Sequence, residues 1–331
     1  MSLLTIPHGS PAVRWYRYWN ASKYIEHSTF DKYKGDGALQ DRFVPWLAEN
    51  GLDWDIVWGG DYTDEMQAFL AAFRERDAQI VVDVDDHFEE VPPGNMSAPA
   101  WFGPKKRLYR ELLLNADRVS ASTPFLADKY NGIVTPNFIE PTDWEWPARP
   151  TKSDDECVIL VACGTGRAGD YMERAKELEA TLELPHVKFV FMGAFHQWAL
   201  KYEPGRVVWC RWTPIEEYTR MLRWIAPDII VSPMQHNNFN LAKSNLKWLE
   251  AGAVGAAFVG ERWGEYDRTV DDGVTGVLAE GADEWRERLL ALCQDADLRR
   301  RVAEAGQRAV YSGWTWPAVE RSWRRAVLGE D

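Results

Sequence analysis

CVILVACGTGRAGD, Cys157 to Asp170, is a run of apolar and small residues closed by a glycine-rich turn and a polar, helix-compatible start. A short continuous apolar run bounded by a turn is the pattern of a strand buried on both faces. Such strands belong to parallel sheets covered by helices. Toward the carboxyl terminus the alternation continues, with strands expected at Val187–Met192, Arg206–Cys210, Asp228–Ser232 and Ala256–Val259. Helices are expected at Asp170–Glu183, Ile215–Ile225, Ala242–Ala251, Asp283–Cys293 and Leu298–Val310. Toward the amino terminus the same alternation occurs a second time. Leu3–Ile6, Asp55–Trp58, Gln79–Val84, Arg118–Ser122 and Ile133–Thr135 read as strands, and Gln40–Glu49, Asp64–Arg76, Lys105–Asn115 and Pro124–Lys129 as helices. The segment between the two series, PNFIEPTDWEWPARPTKSDDE, is rich in proline and acid and reads as a linker. The expectation is an α/β protein of two Rossmann-like halves with parallel sheets facing a central cleft. Ligands in such sheets bind outside the carboxyl ends of the strands.

Composition narrows the function classes. The chain has 331 residues, 46% hydrophobic and 27% charged, which fits two globular domains and excludes a disordered chain. No apolar run approaches the roughly 18 residues of a membrane span. The start, Met1 to Pro11, lacks a basic stretch leading into an apolar core, so no secretory signal is expected. Thirty-eight basic and 51 acidic residues give a net charge of −13, which argues against a general polyanion binder and leaves room for a local basic groove. The four cysteines, Cys157, Cys163, Cys210 and Cys293, form no CxxC pair. A disulfide framework or zinc site is not expected, and a cytoplasmic location fits.

Four stretches carry possible chemistry. Gly164, Thr165, Gly166 and Arg167 stand at a strand–helix junction, where backbone N–H groups approach an anion favoured by the helix N-terminus. The same glycines also suit a plain tight turn. After the strand DIIVSPM comes NNFNLAKSNLKWLE, in which Lys243, Lys247 and Glu250 fall at i, i+4 and i+7. Lys243 and Ser244 near a helix N-terminus can hold a diphosphate, and Glu250 can accept from both hydroxyls of a ribose. A solvated Lys/Glu face is the alternative. Asp83, Asp85 and Asp86, followed by His87, end a strand; a sugar's hydroxyls, a cation or an arginine would compensate their repulsion. A helix cap is the other reading of that run. Finally, His8 to Arg17 forms a loop leading into a helix, with Arg14 and Arg17 near the expected ligand side.

Together these residues resemble a known family. The run KSNLKWLEAGAVGAAFVGERWGEYDRTVDDGVTGVLAE, Lys243 to Glu280, is similar to the carboxyl-terminal half of retaining GT-B glycosyltransferases, especially bacterial and bacteriophage-encoded members. Tyr16-Arg17, the DVDD of Asp83 to Asp86, ADRVSASTPFLA from Ala116 to Ala127 and TPNFIEPTDW at the linker follow in the same order. The resemblance implies an acceptor-side domain over 1–148, a nucleotide-sugar domain over 149–312, and a helix over 313–331 that packs back on the first domain through Trp316 and Trp323. It implies that Gly164 to Gly166, with Arg167, lie at the donor phosphates, that Lys243 and Ser244 bind the diphosphate, and that Lys247 and Glu250 serve the ribose side. Asp83, Asp85 and Asp86 would face the sugar or acceptor as catalytic residues, with Tyr16, Arg17 and His87 on the acceptor side. Relatives carry an acidic residue eight positions before the second glutamate. Here that position is Ala242, replaced in role by Asn240 or Lys243.

The implied activity is transfer of a sugar from a UDP- or GDP-sugar to a hydroxyl acceptor with retention. No cofactor is required, and Mg²⁺ or Mn²⁺ is possible but not favoured. The acceptor classes are a surface glycan, a hydroxylated pyrimidine in phage DNA, or a virion protein. The alternatives are a sugar-nucleotide epimerase of the same fold and a degenerate domain that only binds nucleotide or glycan.

Overall fold

The computed structural model describes all residues except 31–38, 60–62, 96–97, 102 and 147–155, with the backbone alone at 39–42, 65, 100, 101 and 165. The chain forms two compact units. Unit 1 comprises Met1–Glu90, Pro99–Asn137 and Val319–Asp331; unit 2 comprises Val91–Ala98 and Phe138–Ala318.

Unit 1 is built on strands β1 (Leu3–Ile6), β2 (Ser28–Thr29), β3 (Ile56–Gly59), β4 (Gln79–Val84), β5 (Arg118–Ala121) and β6 (Ile133–Val134). They lie in the order β2-β1-β3-β4-β5-β6, all parallel. Helices Leu39–Asn50, Asp64–Arg74, Pro104–Leu114 and Pro124–Tyr130 connect them. Thr63 and Thr123 cap two of these helices, accepting from the N–H of Met66 and Leu126.

Unit 2 continues with β7 (Cys157–Cys163), β8 (Val187–Gly193), β9 (Val207–Cys210), β10 (Ile229–Ser232), β11 (Ala257–Glu261) and β12 (Val277–Ala279). Their order is β12-β11-β10-β7-β8-β9, again parallel. The apolar run of β7 has a direct cause. Cys157, Ile159, Val161 and Cys163 pack on one face with Tyr171, Leu178 and Trp285, while Val158, Leu160 and Ala162 pack on the other with Trp248, Leu249 and Phe258. A strand covered on both sides has no solvent face, so hydrophobicity does not alternate. The chain winds outward from β7 through β9, then returns to β10 and winds the other way. That reversal places a crevice at the carboxyl ends of β7 and β10, the usual ligand position in this topology.

Three expectations need correction. The helix expected over Asp170–Glu183 is two short helices, Ala168–Glu173 and Ala175–Ala180, followed by the 3-10 turn Thr181–Glu183. The helix expected over Ala242–Ala251 begins only at Leu246 and runs to Val254, and a separate short piece, Asn238–Leu241, precedes it. The first piece starts where Asn237 Oδ1 accepts from Asn240 N at 2.8 Å, so the polar run forms a capped turn of its own. Third, the chain enters unit 2 at Phe138, before the expected boundary at 148, which falls outside the described residues. Ile139 N donates to Trp314 O at 2.8 Å, and Ile139 and Trp144 pack in the core beside β7, so the proline-rich segment starts as structure rather than linker. At the far end, helix Trp316–Leu328 brings Trp323 into unit 1, where its Nε1 donates to Pro136 O at 3.0 Å and its ring meets Trp58 edge-on at 5.8 Å. Among the described residues no helix is long and apolar enough to cross a membrane.

Candidate donor site and the acidic strand end

Cys163 ends β7 beside the next strand's Gly193, and that closeness requires a glycine. Gly193 has φ +91°, and a Cβ there would stand 2.5 Å from Cys163 O and 3.2 Å from Trp212 Cε3. A Cβ at Gly164 would also touch Trp212, at 3.9 Å, so this 66% exposed indole lies across the glycine turn. Gly166 faces Asn95, whose Oδ1 would be 3.1 Å from an added Cβ. Of Thr165 only the backbone is described, within the 3-10 turn Thr165–Arg167. Burial pushes the Cys163 thiol up to about 11, so it stays protonated at neutral pH and is no thiolate nucleophile.

Asp170 ties the loops of this crevice together. One carboxylate oxygen accepts from Gln235 N at 3.0 Å and Asn240 Nδ2 at 2.8 Å, and the other from Arg167 Nε at 2.9 Å. Arg167 in turn donates to Ser232 Oγ at 3.3 Å and Pro233 O at 2.7 Å. Each guanidinium nitrogen is therefore engaged within the fold. Arg167 thereby joins the glycine turn to the carboxyl end of β10. Asn240 has a comparable place. It is 3% exposed, and its amide also donates to Gln235 O at 3.0 Å, so it fixes the loop.

The Lys/Glu pattern resolves into two parts. Lys247 Nζ donates to Glu250 Oε2 at 2.7 Å and to the Tyr218 hydroxyl at 2.9 Å, and Tyr218 donates to the same Glu250 oxygen at 2.9 Å. Glu250 is 1% exposed. Lys243 does not share their helix face, because that helix begins at Leu246. It lies with Ser244 in the break before the helix, its Nζ 4.2 Å over the Phe239 ring. Ala242 is fully buried and offers no polar group.

Residue type and spacing gave no role to Asp170, although it closes the glycine-rich run, and did not point to Tyr218, Trp212 or Glu261. Glu261 ends β11, fully buried, and accepts from Arg174 Nη2 at 2.9 Å and Trp285 Nε1 at 2.8 Å, with His236 Nε2 at 3.3 Å. His236 stacks on Trp263 with centroids 4.2 Å apart. A lone acid after the apolar run AFVG was the available signal, of the same kind as the acids that end β4.

Those acids in unit 1 behave differently from expectation. Asp83 is fully buried in β4 and binds Arg17 through both oxygens, at 3.0 and 2.6 Å, while Ser120 Oγ donates at 2.6 Å. Arg17, 1% exposed, also donates to Thr135 O, to Thr135 Oγ1 at 2.6 Å and to Asn137 Oδ1 at 3.3 Å. The two charges pair inside the fold, so the expected catalytic Asp83 and acceptor-side Arg17 are engaged with each other. Arg17 belongs to the π-helix Arg14–Trp19, where Tyr16 is 3% exposed. His87, 1% exposed, lies edge-on to Phe125 at 5.7 Å and Tyr130 at 6.4 Å. Tyr16 and His87, both expected on the acceptor side, are buried in unit 1. Only Asp85 and Asp86 remain half-buried, and Asp85 O accepts from Ser122 Oγ at 3.1 Å. Among the described residues no group of three or more His, Cys, Asp or Glu is placed to hold a metal ion.

Residues 173–323, a little under half of the chain, match the family described as glycosyl transferase-like. A stretch of 93 residues is 34% identical to D-inositol 3-phosphate glycosyltransferase from Corynebacterium kroppenstedtii, covering 28% of this chain and 19% of that protein. The chain thus spans about a fifth of the curated relative it matches. Among solved structures, it is similar to sucrose-phosphate synthase from Thermosynechococcus elongatus, with a TM-score of 0.69 at 14% identity over 99% of this chain and 100% of that one. It is also similar to Anabaena HepE in complex with UDP and glucose, with a TM-score of 0.66 at 13% identity over the full length of both. At such identities the likeness establishes the fold: two Rossmann-like units of the GT-B glycosyltransferase type, the second bearing a glycosyl transferase-like segment.

Proposed function

We propose that the protein is a glycosyltransferase that takes its sugar from a nucleotide-diphosphate donor held by unit 2. The observation that carries this reading is the convergence, at the carboxyl ends of β7 and β10, of the glycine turn, the Asp170 hub and the Lys247–Glu250–Tyr218 triad. The amides of Gly164 to Gly166 and of the Lys243–Asn245 break, with the Lys243 ammonium, stabilise the leaving diphosphate as the anomeric carbon becomes positive. Glu250, oriented by Lys247 and Tyr218, meets the ribose. Trp212 offers the base a flat face. The HepE complex with UDP and glucose supports a UDP-sugar as donor.

Retention follows if the acceptor enters on the leaving-group face and a phosphate oxygen takes its proton. That route needs no strong base, and the enclosure of Asp83 suits it. Asp85 or Asp86 then orients the acceptor or sugar hydroxyl. The acceptor is a hydroxyl compound: a surface glycan, a hydroxylated pyrimidine of phage DNA, or a virion protein. Four free cysteines suit a reducing cytoplasm.

Nucleotide release from a panel of UDP- and GDP-sugars, with and without these acceptors, tests the reading. Acceptor-dependent release supports transfer. Release without acceptor points to an epimerase. Binding without turnover leaves only a nucleotide-binding module.

A further inference from the structure

Unit 2 contains a cavity whose lining shares no residue with the crevice just described. It has a volume of about 670 Å³, within the roughly 300–1,000 Å³ of small-molecule sites, and Ala253 forms part of its floor. Ala253 lies near the carboxyl end of helix Leu246–Val254, whose amino end adjoins Lys243 and Ser244. At 1.5 Å per residue, the two ends of that helix are about 12 Å apart. The walls are Trp144, Trp146 and Tyr311, and Arg223, Gln307 and Arg308 add polar groups.

The aromatic walls are fixed before any ligand arrives. Trp146 Nε1 donates to Asp143 O at 3.0 Å and to Thr219 Oγ1 at 3.3 Å, and Arg220 sits 5.5 Å from its ring. Trp146 nevertheless stays 37% exposed. The Tyr311 hydroxyl donates to Ala253 O at 3.3 Å. Burial raises the Tyr311 phenol above its usual range, with Arg223 opposing and Glu145 adding to the rise, so it remains a neutral hydrogen-bonding group at pH 7.

Arg223 is the unusual member. It is half-buried, its Nε is shielded from solvent, and among the described residues nothing accepts a hydrogen bond from that nitrogen. Arg308 pairs with Glu304 only at 3.9 Å. A partly desolvated guanidinium between aromatic walls is unfavourable until an oxyanion pairs with it. Tryptophan and tyrosine faces, in turn, suit the C–H faces of a sugar ring, and Gln307 and Glu145 can meet its hydroxyls.

We propose that this cavity binds a saccharide bearing an oxyanion, a phosphate or a carboxylate, with the ring against Trp146 and the anion on Arg223 and Arg308. The site is independent of the donor crevice and does not rest on the transferase reading.

Titration of the full chain with glucose 6-phosphate, glucuronate, methyl glucoside and inorganic phosphate, each with and without saturating UDP, tests it. At least one of the two anionic sugars is expected to bind about tenfold or more tightly than methyl glucoside and inorganic phosphate, and the better of the two identifies the anion. Arg223→Gln is expected to weaken that binding about tenfold and Trp146→Ala severalfold, with UDP affinity unchanged in both variants. Four results would each overturn the proposal. They are failure of both anionic sugars to bind at millimolar concentration, inorganic phosphate binding as tightly as the sugars, indifference to Arg223→Gln, or displacement of the sugar by UDP.

Discussion

The carboxyl end of β4 in unit 1 and the carboxyl ends of β7 and β10 in unit 2 both gather carboxylates beside cations, yet they differ in where the partners come from. Asp83 lies inside a strand, and its partners Arg17 and Ser120 are fixed by a helix and the next strand, so the pair is sealed in the interior. Asp170 lies in the short helix just past the glycine turn, and its partners are Gln235 N, Asn240 of the short helix Asn238–Leu241 and Arg167 of the turn Thr165–Arg167. The first network joins elements of a core. The second ties these short pieces together while Gly164, Gly166, Lys243 and Ser244 stay half-buried at the crevice. The two acids thus differ in what they tie together: Asp83 joins neighbouring core elements, and Asp170 joins the short pieces that follow β7 and β10.

The sharpest break of this comparison is at Asp83. Removing one member of a buried pair leaves an uncompensated charge, so Asp83→Ala is expected to destabilise unit 1 by about 3–5 kcal/mol. Denaturant unfolding measures it. Full stability with lost turnover would instead restore Asp83 to the chemistry.

In unit 2, Glu250→Gln keeps the side-chain volume but loses the charge that Lys247 and Tyr218 orient. Donor affinity is expected to fall tenfold to a hundredfold, about 1.5–3 kcal/mol, while folding stability changes far less than for Asp83→Ala. Calorimetry with a UDP-sugar, paired with an unfolding curve, separates the two quantities. Asp170→Asn sharpens the comparison further. It neutralises the partner of Arg167 and loosens the glycine turn, so donor affinity should drop roughly tenfold. An unchanged affinity would make the Asp170 hub as purely structural as the Asp83 pair.

Asp85 stands between the two behaviours, half-buried just past the strand that holds Asp83. If it orients a hydroxyl in the transition state, Asp85→Asn lowers turnover at saturating donor by more than it lowers affinity. Chelator leaves wild-type activity intact under the same account, and loss of activity in EDTA restored by Mg²⁺ or Mn²⁺ would overturn it.

The smallest effect concerns pH. Burial raises the Asp272 carboxyl, but the Leu278 N–H, Arg262 and Arg288 more than offset this and hold it below the usual value. A carboxylate with a depressed folded pKa adds stability that is present above its unfolded pKa and lost as pH falls through the folded one. Asp272→Asn is therefore expected to flatten the acid side of the stability profile by up to about 1 kcal/mol. An identical acid slope in the variant would show that the pair contributes nothing.

The strands were legible because burial on both faces writes an unbroken apolar run, as in Cys157–Cys163. β2 and β12 were not, since Ser28–Thr29 is short and polar and Val277–Ala279 is three residues among glycines. The glycine turn and Glu250 could be singled out from residue type and order alone. The break at Ala242–Asn245 could not, because i, i+4 spacing is the same whether or not the helix is continuous. Nor could the fate of the acidic run: Asp83 and Asp85 look alike in sequence, and only the arginine brought over from residue 17 distinguishes them. Trp212 and Tyr218 were hidden because their roles depend on the positions of β8 and of helix Leu246–Val254.

The transferase reading requires unit 2 to hold a nucleotide diphosphate at the carboxyl ends of β7 and β10. Calorimetric titration of wild type and Lys243→Ala with nucleoside diphosphate and monophosphate tests it most directly. The account predicts that wild type prefers the diphosphate by about tenfold, and that the variant loses most of this preference while binding the monophosphate nearly as before. Equal affinity of wild type for the two nucleotides, or an undiminished preference in Lys243→Ala, would contradict it.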